Sequence, residues 1–145
     1  MLIKSENIFL DVNGKSKYEI IRNMINLSTI DESLKSYAYE KVKEREELQP
    51  TSVGNGIGIA HAKIDKIESL DILVGVVKDG VDYDAYDDIP VNLIFVILSP
   101  IESNREYLTV LSKISRFCRK ENVIEKILME NNREYIEDLF SKLGN

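Results

Sequence analysis

The chain has 145 residues, 43% hydrophobic and 30% charged, a globular balance that excludes disorder and leaves room for one core rather than two. A single cysteine and a single histidine exclude a disulfide framework, a multi-cysteine zinc site and any centre that needs two histidines. With 19 Lys and Arg against 25 Asp and Glu the net charge is −6, which argues against nucleic acid as the main partner, because a phosphate footprint requires a basic patch.

Residues 1–12 contain no apolar core of signal-peptide length. The longest apolar run, residues 91–98, falls far short of the ~20 residues of a membrane span. These features lead us to expect a soluble, cytoplasmic protein that makes no direct membrane insertion, with one domain over residues 1–145.

In chain order, Ile8-Phe9-Leu10 suggests a short first strand. Ser16 and Glu19 have the spacing of a capping box, and Tyr18, Ile21, Met24, Ile25 and Leu27 follow at helical spacing. A second helix is predicted over 32–48, with Leu34, Tyr37, Ala38 and Val42 as its apolar stripe and Pro50 as its stop. The segment 51–63 carries three alternating glycines, Gly54, Gly56 and Gly58, and then alternating apolar residues; it reads as a loop leading into a strand that delivers His61. Residues 71–77 form a second apolar strand. Residues 91–98 are apolar at nearly every position, the mark of a strand buried on both faces in the middle of a sheet. The remainder is helical: a capping box at Ser103 and Glu106, then Tyr107, Val110, Leu111, Ile114, Phe117 and Cys118 at helix spacing, a short helix from Val123 and a last one from Tyr135. Strands in the middle with helices before and after predict a three-layer αβα sandwich.

Residues 45–63 concentrate the chemistry. Glycines allow backbone amides to approach an anion closely, Thr51 and Ser52 add hydroxyl donors, and Arg45 and Lys63 bring positive charge into an acidic protein. An ordinary histidine is mostly neutral near pH 7 and hence nucleophilic. An imidazole beside anion-binding donors suits phosphoryl acceptance, in which its nitrogen attacks phosphorus in line and the donors spread the equatorial charge. The residues alone leave open a histidine held only by backbone hydrogen bonds, and a solvated Arg45 in the charged run 41–47. Cys118 lies in an apolar stripe and reads as a small buried hydrophobe. The spacing of the acidic stretch 79–88 lacks the sixth-position glycine and terminal glutamate of a calcium loop.

The segment Arg45-Glu46-Glu47, then Thr51-Ser52-Val53-Gly54-Asn55-Gly56-Ile57-Gly58-Ile59-Ala60-His61-Ala62-Lys63, resembles the signature of the mannitol/fructose-type EIIA domains of the phosphoenolpyruvate-dependent sugar phosphotransferase system, usually an RE pair followed by T-G-x-G-x-G-x-A-x-P-H. The likeness runs over almost the whole chain. It implies a mixed β-sheet flanked by helices on both sides. It also implies that His61 takes a phosphoryl group from the phosphocarrier protein HPr and passes it to a cysteine of an EIIB partner, with no bound cofactor and no metal. By the same likeness Arg45 stabilises the phosphoryl group, and Thr51, Ser52 and the segment from Gly54 through Gly56 to Gly58 shape the pocket. The chain departs from the family pattern at several positions. Ser52 stands where glycine is frequent, Ala60 where proline usually precedes the histidine, and Tyr107-Leu108 where many members have a His-Leu pair facing the first histidine. Tyr107 can donate an O–H but cannot carry positive charge. Stand-alone members of the nitrogen type act by phosphorylation-dependent binding, so a regulatory protein and an unphosphorylated binding module remain as alternatives.

Overall fold

The computed structural model describes residues 3–130 and 132–144. Ile8–Phe9 form strand β1, and helix α1 covers Lys17–Leu27. Ser16 caps α1 as its spacing with Glu19 predicts: the Ser16 side chain accepts from the Glu19 amide at 3.2 Å, satisfying one of the N–H groups that a helix start leaves without a partner. The second predicted helix begins as a 3-10 turn, Glu32–Leu34, and continues as α2 over Lys35–Leu48. Its buried face differs from the predicted stripe. Ala38, Tyr39, Val42 and Glu46 are inside, whereas Tyr37 is 38% exposed. The positions 38, 42 and 46 follow one another at four-residue steps, so the helix carries a glutamate into the core on the same face as an alanine and a valine.

The predicted glycine loop is a hairpin. Ser52–Gly54 form β2 and Ile57–Ile64 form β3, joined through Asn55 and Gly56, whose φ values of 56° and 83° place both in the left-handed region that a tight hairpin turn requires. Strands β4 (Asp71–Val81) and β5 (Val91–Pro100) follow, each longer than its apolar run. The sheet order is β1-β4-β5-β3-β2. β5 runs antiparallel to β4 and parallel to β3, β1 is parallel to β4, and β2 antiparallel to β3, so the sheet is mixed. The most apolar strand occupies its centre, as burial on both faces requires. Leu93, Ile94, Phe95, Val96, Ile97 and Leu98 are all 0% exposed.

Alternation along the strands separates two apolar layers. Ile59, Val74, Phe95 and Ile97 pack with Ile114, Phe117, Ile136 and Phe140 on one face, under α3 (Asn104–Glu121), α4 (Val123–Glu130) and α5 (Arg133–Ser141). Ala60, Ala62, Leu73 and Val96 pack with Ile20, Met24, Ala38 and Val42 of α1 and α2 on the other. The result is an αβα arrangement. The predicted capping box at Ser103 is not formed by its side chain, which makes no cap hydrogen bond; the Ser103 carbonyl alone takes the Tyr107 amide at 2.9 Å. No described helix is long and apolar enough to cross a membrane.

Candidate functional site

Three elements meet around His61. Strand alternation puts His61 on the same face as Ile57 and Ile59, beyond the part of that face covered by the core of α3–α5. The short strand β2 reaches only to the Ser52–Gly58 register. The Ile59 amide still donates to the Thr51 carbonyl at 3.0 Å; from there onward no described strand pairs the outer edge of β3, and α2 packs against β3. Lys41, Glu44, Arg45 and Leu48 are spaced three or four apart, so they share one face of α2. With Tyr107 from the start of α3 they line an open cleft of ≈ 450 Å³ that also includes His61, Ala62 and Lys63.

His61 is half-buried. Its Nδ1 lies 3.1 Å from the Ile59 carbonyl. A carbonyl oxygen only accepts, so Nδ1 carries the proton and Nε2 keeps the free lone pair of the neutral ring. Burial lowers the imidazole below its ordinary value of 6.5, and the Arg45 guanidinium pushes the same way; the Ile59 hydrogen bond and Glu46 oppose them. The balance favours an unprotonated, nucleophilic Nε2.

Arg45 donates from Nη1 to the Gln49 carbonyl at 3.0 Å, which ties the guanidinium to the end of α2. The field of Arg45 reaches both His61 and Tyr107. The His61 and Tyr107 rings are 5.2 Å apart between centroids and tilted by 41°. Burial raises the Tyr107 phenol above its ordinary value, partly offset by Arg45, so at neutral pH Tyr107 is an O–H donor and not a phenolate. Lys63 donates to the Ile101 carbonyl at 3.4 Å and to Oδ1 of Asn104, linking the strand that carries His61 to the start of the helix that carries Tyr107. Lys41 pairs with Glu44 at 3.7 Å. A neutral nucleophile with cations around an open, partly apolar cleft suits a transferable anion presented by another macromolecule. Among the described residues, no group of three His, Cys, Asp or Glu side chains converges as a metal site.

The structure thus brings together His61, Arg45 and Tyr107. It does not bring the other expected pocket residues into the cleft. Ser52, Gly54 and Gly56 belong to the β2–β3 hairpin. At roughly 3.3 Å per strand residue, Gly56 is about 16 Å along β3 from His61. A Cβ on Gly54 would come within 2.6 Å of the Tyr86 hydroxyl. Gly58 is in the strand, where a Cβ would stand 2.7 Å from Cζ of Tyr83; the glycine there makes room for a ring, not for an anion. Thr51 is turned inward, its hydroxyl 2.5 Å from Glu46 Oε1 and 2.9 Å from the Tyr83 hydroxyl.

That inward cluster is what sequence reasoning missed. Glu46, 2% exposed, accepts at one carboxylate oxygen from Lys17 Nζ at 3.0 Å and from the Thr51 amide at 2.8 Å. Lys17, itself 5% exposed, also donates to the Tyr83 carbonyl at 3.2 Å. The network bolts the last turn of α2, which bears Arg45 and Leu48, to the start of β2. A glutamate on the Ala38–Val42 stripe was the available signal, since a charge at a core position must be paired.

The family model described as "Phosphoenolpyruvate-dependent sugar phosphotransferase system, EIIA 2" matches residues 1–143. A PTS system fructose-specific EIIA component from Haloferax volcanii is 36% identical over 106 residues, which is 73% of this chain and 69% of the relative. The nitrogen regulatory protein IIA-Ntr from Neisseria meningitidis superposes with a TM-score of 0.86 at 24% identity, over 95% of each chain. A chain from the complex of enzyme IIAMTL and phosphorylated enzyme IIBMTL from Escherichia coli superposes with a TM-score of 0.79 at 21% identity, over 97% of each chain.

Proposed function

The chain belongs to the EIIA 2 family of the phosphoenolpyruvate-dependent sugar phosphotransferase system, and on that premise we propose that it is a phosphoryl carrier which accepts phosphate from phospho-HPr on His61 and delivers it to a cysteine of EIIB. One observation supports this most directly: an imidazole whose Nδ1 is tied to the Ile59 carbonyl and whose Nε2 is free, in an open cleft beside Arg45. In the first step the Nε2 lone pair attacks phosphorus as the bond to the donor breaks, and the electron pair of that bond leaves with HPr. Arg45 draws off the charge on the equatorial oxygens, and Tyr107 supplies a neutral O–H donor. The proton stays on Nδ1 throughout, donated in a hydrogen bond to the Ile59 carbonyl. In the second step the cysteine thiolate of EIIB attacks the same phosphorus, and the N–P bond breaks to restore neutral His61.

The NMR structure of enzyme IIAMTL in complex with phosphorylated enzyme IIBMTL supports an EIIB partner. Incubation with phosphoenolpyruvate, enzyme I and HPr should label the wild-type chain. Retention of that label by His61→Ala would sink the assignment.

A second reading rests on Tyr107. Where a tyrosine stands in the cleft, no second imidazolium can form to assist transfer, and the fold is shared with a nitrogen regulatory protein. A carrier slowed in this way can serve as a reporter that binds a target according to its phosphorylation state. Tyr107→His should raise the transfer rate if chemistry is merely slow; no labelling of either variant indicates a binding module. Deletion that leaves sugar uptake intact but alters a phosphorylation-dependent interaction would favour regulation.

A further inference from the structure

A phosphoryl group brings up to about two negative charges to its acceptor near neutral pH. Against that load the described residues lining the cleft offer three cationic side chains, Lys41, Arg45 and Lys63. Lys41 is paired with Glu44 at 3.7 Å. Arg45 holds the Gln49 carbonyl and stands where its charge is felt at His61. Tyr107 adds no charge: burial raises its phenol above the ordinary value, so the O–H donates and stays neutral. A second cation for the phosphoryl group therefore has to come from Lys63.

Lys63 is two residues beyond His61 in β3. Strand alternation puts both side chains on one face, with their Cα atoms roughly 7 Å apart. Ala62 between them points to the α1–α2 layer. Lys63 Nζ rests on two neutral oxygens, the Ile101 carbonyl at 3.4 Å and Oδ1 of Asn104. Among the described residues no carboxylate lies within ion-pair distance of it. The residue is exposed, so neither burial nor a counter-charge fixes the ammonium where it is. A flexible four-carbon stem with three donors can re-aim it along the strand toward Nε2 of His61. Leaving two neutral acceptors for a phosphoryl dianion exchanges ordinary hydrogen bonds for a contact between opposite charges, which is about twice as strong.

We propose that Lys63 is a further catalytic residue of the phosphoryl transfer: its ammonium leaves Asn104, binds an equatorial oxygen of the group on His61, and supplies the second cation that Tyr107 cannot. The proposal rests on the phosphocarrier reading. Lys63 forms no covalent bond and keeps its proton. Phosphorus passes to Nε2, and the bond to the donor breaks with its electron pair going to the donor. In the unphosphorylated chain Asn104 and the Ile101 carbonyl hold the ammonium in reserve at the rim of the cleft.

The test compares the wild-type chain with Lys63→Met, Lys63→Arg and Asn104→Ala, the folding of each checked by circular dichroism and urea midpoint. Phosphoramidate, a small donor that needs no docking, and phospho-HPr are used in parallel. Lys63→Met should slow labelling by phosphoramidate about tenfold or more, in kcat rather than in KM. Lys63→Arg, which restores the charge, should recover most of that loss. Asn104→Ala removes the resting acceptor and keeps the cation, so it should label within about twofold of wild type. The phosphorus-31 signal of phosphorylated Lys63→Met should titrate at a higher pH than that of wild type, because a nearby cation favours the dianion. Labelling of Lys63→Met at the wild-type rate would overturn the proposal. Asn104→Ala as slow as Lys63→Met would overturn it too, since Lys63 would then act only by holding the start of α3. Failure of the wild-type chain to take label from phospho-HPr, while phosphoramidate labels it, would overturn the carrier reading alone; failure with both donors would overturn the two together.

Discussion

Replacing Glu46 by alanine should damage this protein more than its place beside Arg45 in a charged helix suggests. The carboxylate is 2% exposed and its partner Lys17 5%, with Nζ 3.0 Å from Oε2. Truncation leaves an ammonium buried without a counter-charge, which costs about 3–5 kcal/mol. It also strips the Thr51 amide of the acceptor it holds at 2.8 Å. The Thr51 and Tyr83 hydroxyls lose less, because they stay within 2.9 Å of each other. Against a total stability of about 5–15 kcal/mol, the loss is a large fraction. Urea unfolding, read as a fall in midpoint at constant slope, measures it. The double variant Lys17→Met, Glu46→Ala removes both charges and should recover part of the loss, since no uncompensated charge is then left buried. A loss under about 1 kcal/mol for Glu46→Ala, or a double variant no more stable than the single one, would refute the claim that pairing holds the end of α2 in place.

Three further outcomes are expected. Arg45→Ala should raise the His61 pKa toward 6.5, since the guanidinium and burial both lower it; an NMR titration of the ring checks this, and an unchanged or lower value counts against a shared cleft. Because the folded-state pKa is depressed, the unfolded chain takes up the proton first as pH falls below about 6.5; the His61 contribution to stability is present above that pH and is lost as pH falls through the lower folded value, so the unfolding midpoint should drop in that acidic window less steeply in Arg45→Ala than in wild type. Gly58→Ala forces a Cβ to within 2.7 Å of the Tyr83 ring and should destabilise by about 1–3 kcal/mol, measured by denaturant unfolding; a neutral effect would mean that the ring moves freely. Cys118 is 8% exposed and burial pushes its thiol up to about 12, so a thiol reagent should modify it only after unfolding; fast labelling of the native protein would contradict the buried assignment.

Much of this molecule is written in local periodicity. The run 91–98 announced a central strand because unbroken apolarity fits a strand with no solvent face, and it lies in the middle of the sheet. Ser16 and Glu19 announced the start of α1. The family resemblance singled out His61, Arg45 16 positions before it and Tyr107, and the three line one cleft. What failed to show was anything that depends on who meets whom across the chain. Three alternating glycines look alike in a phosphate cradle and in a hairpin beside a tyrosine ring; only the packing of Tyr83 and Tyr86 distinguishes them.

The same holds for Arg45 and Glu46, neighbours in one charged run. Side chains one position apart on a helix point about 100° apart, so one turns to the open cleft and the other into the core, and which does which depends on where α1 and the sheet lie. Lys17 and Glu46 are 29 positions apart, and their pairing exists only because α1 and α2 pack on the same face. Sequence alone determined most of the elements and the candidate imidazole in β3, because those follow from each residue's own chemistry and its near neighbours, whereas the buried face of α2 departed from its predicted stripe. Tertiary structure alone decided that β2 stops short, that the edge of β3 beyond it opens beside α2, and that the cleft forms there. Those outcomes come from which distant surfaces exclude water together, and no local pattern encodes that.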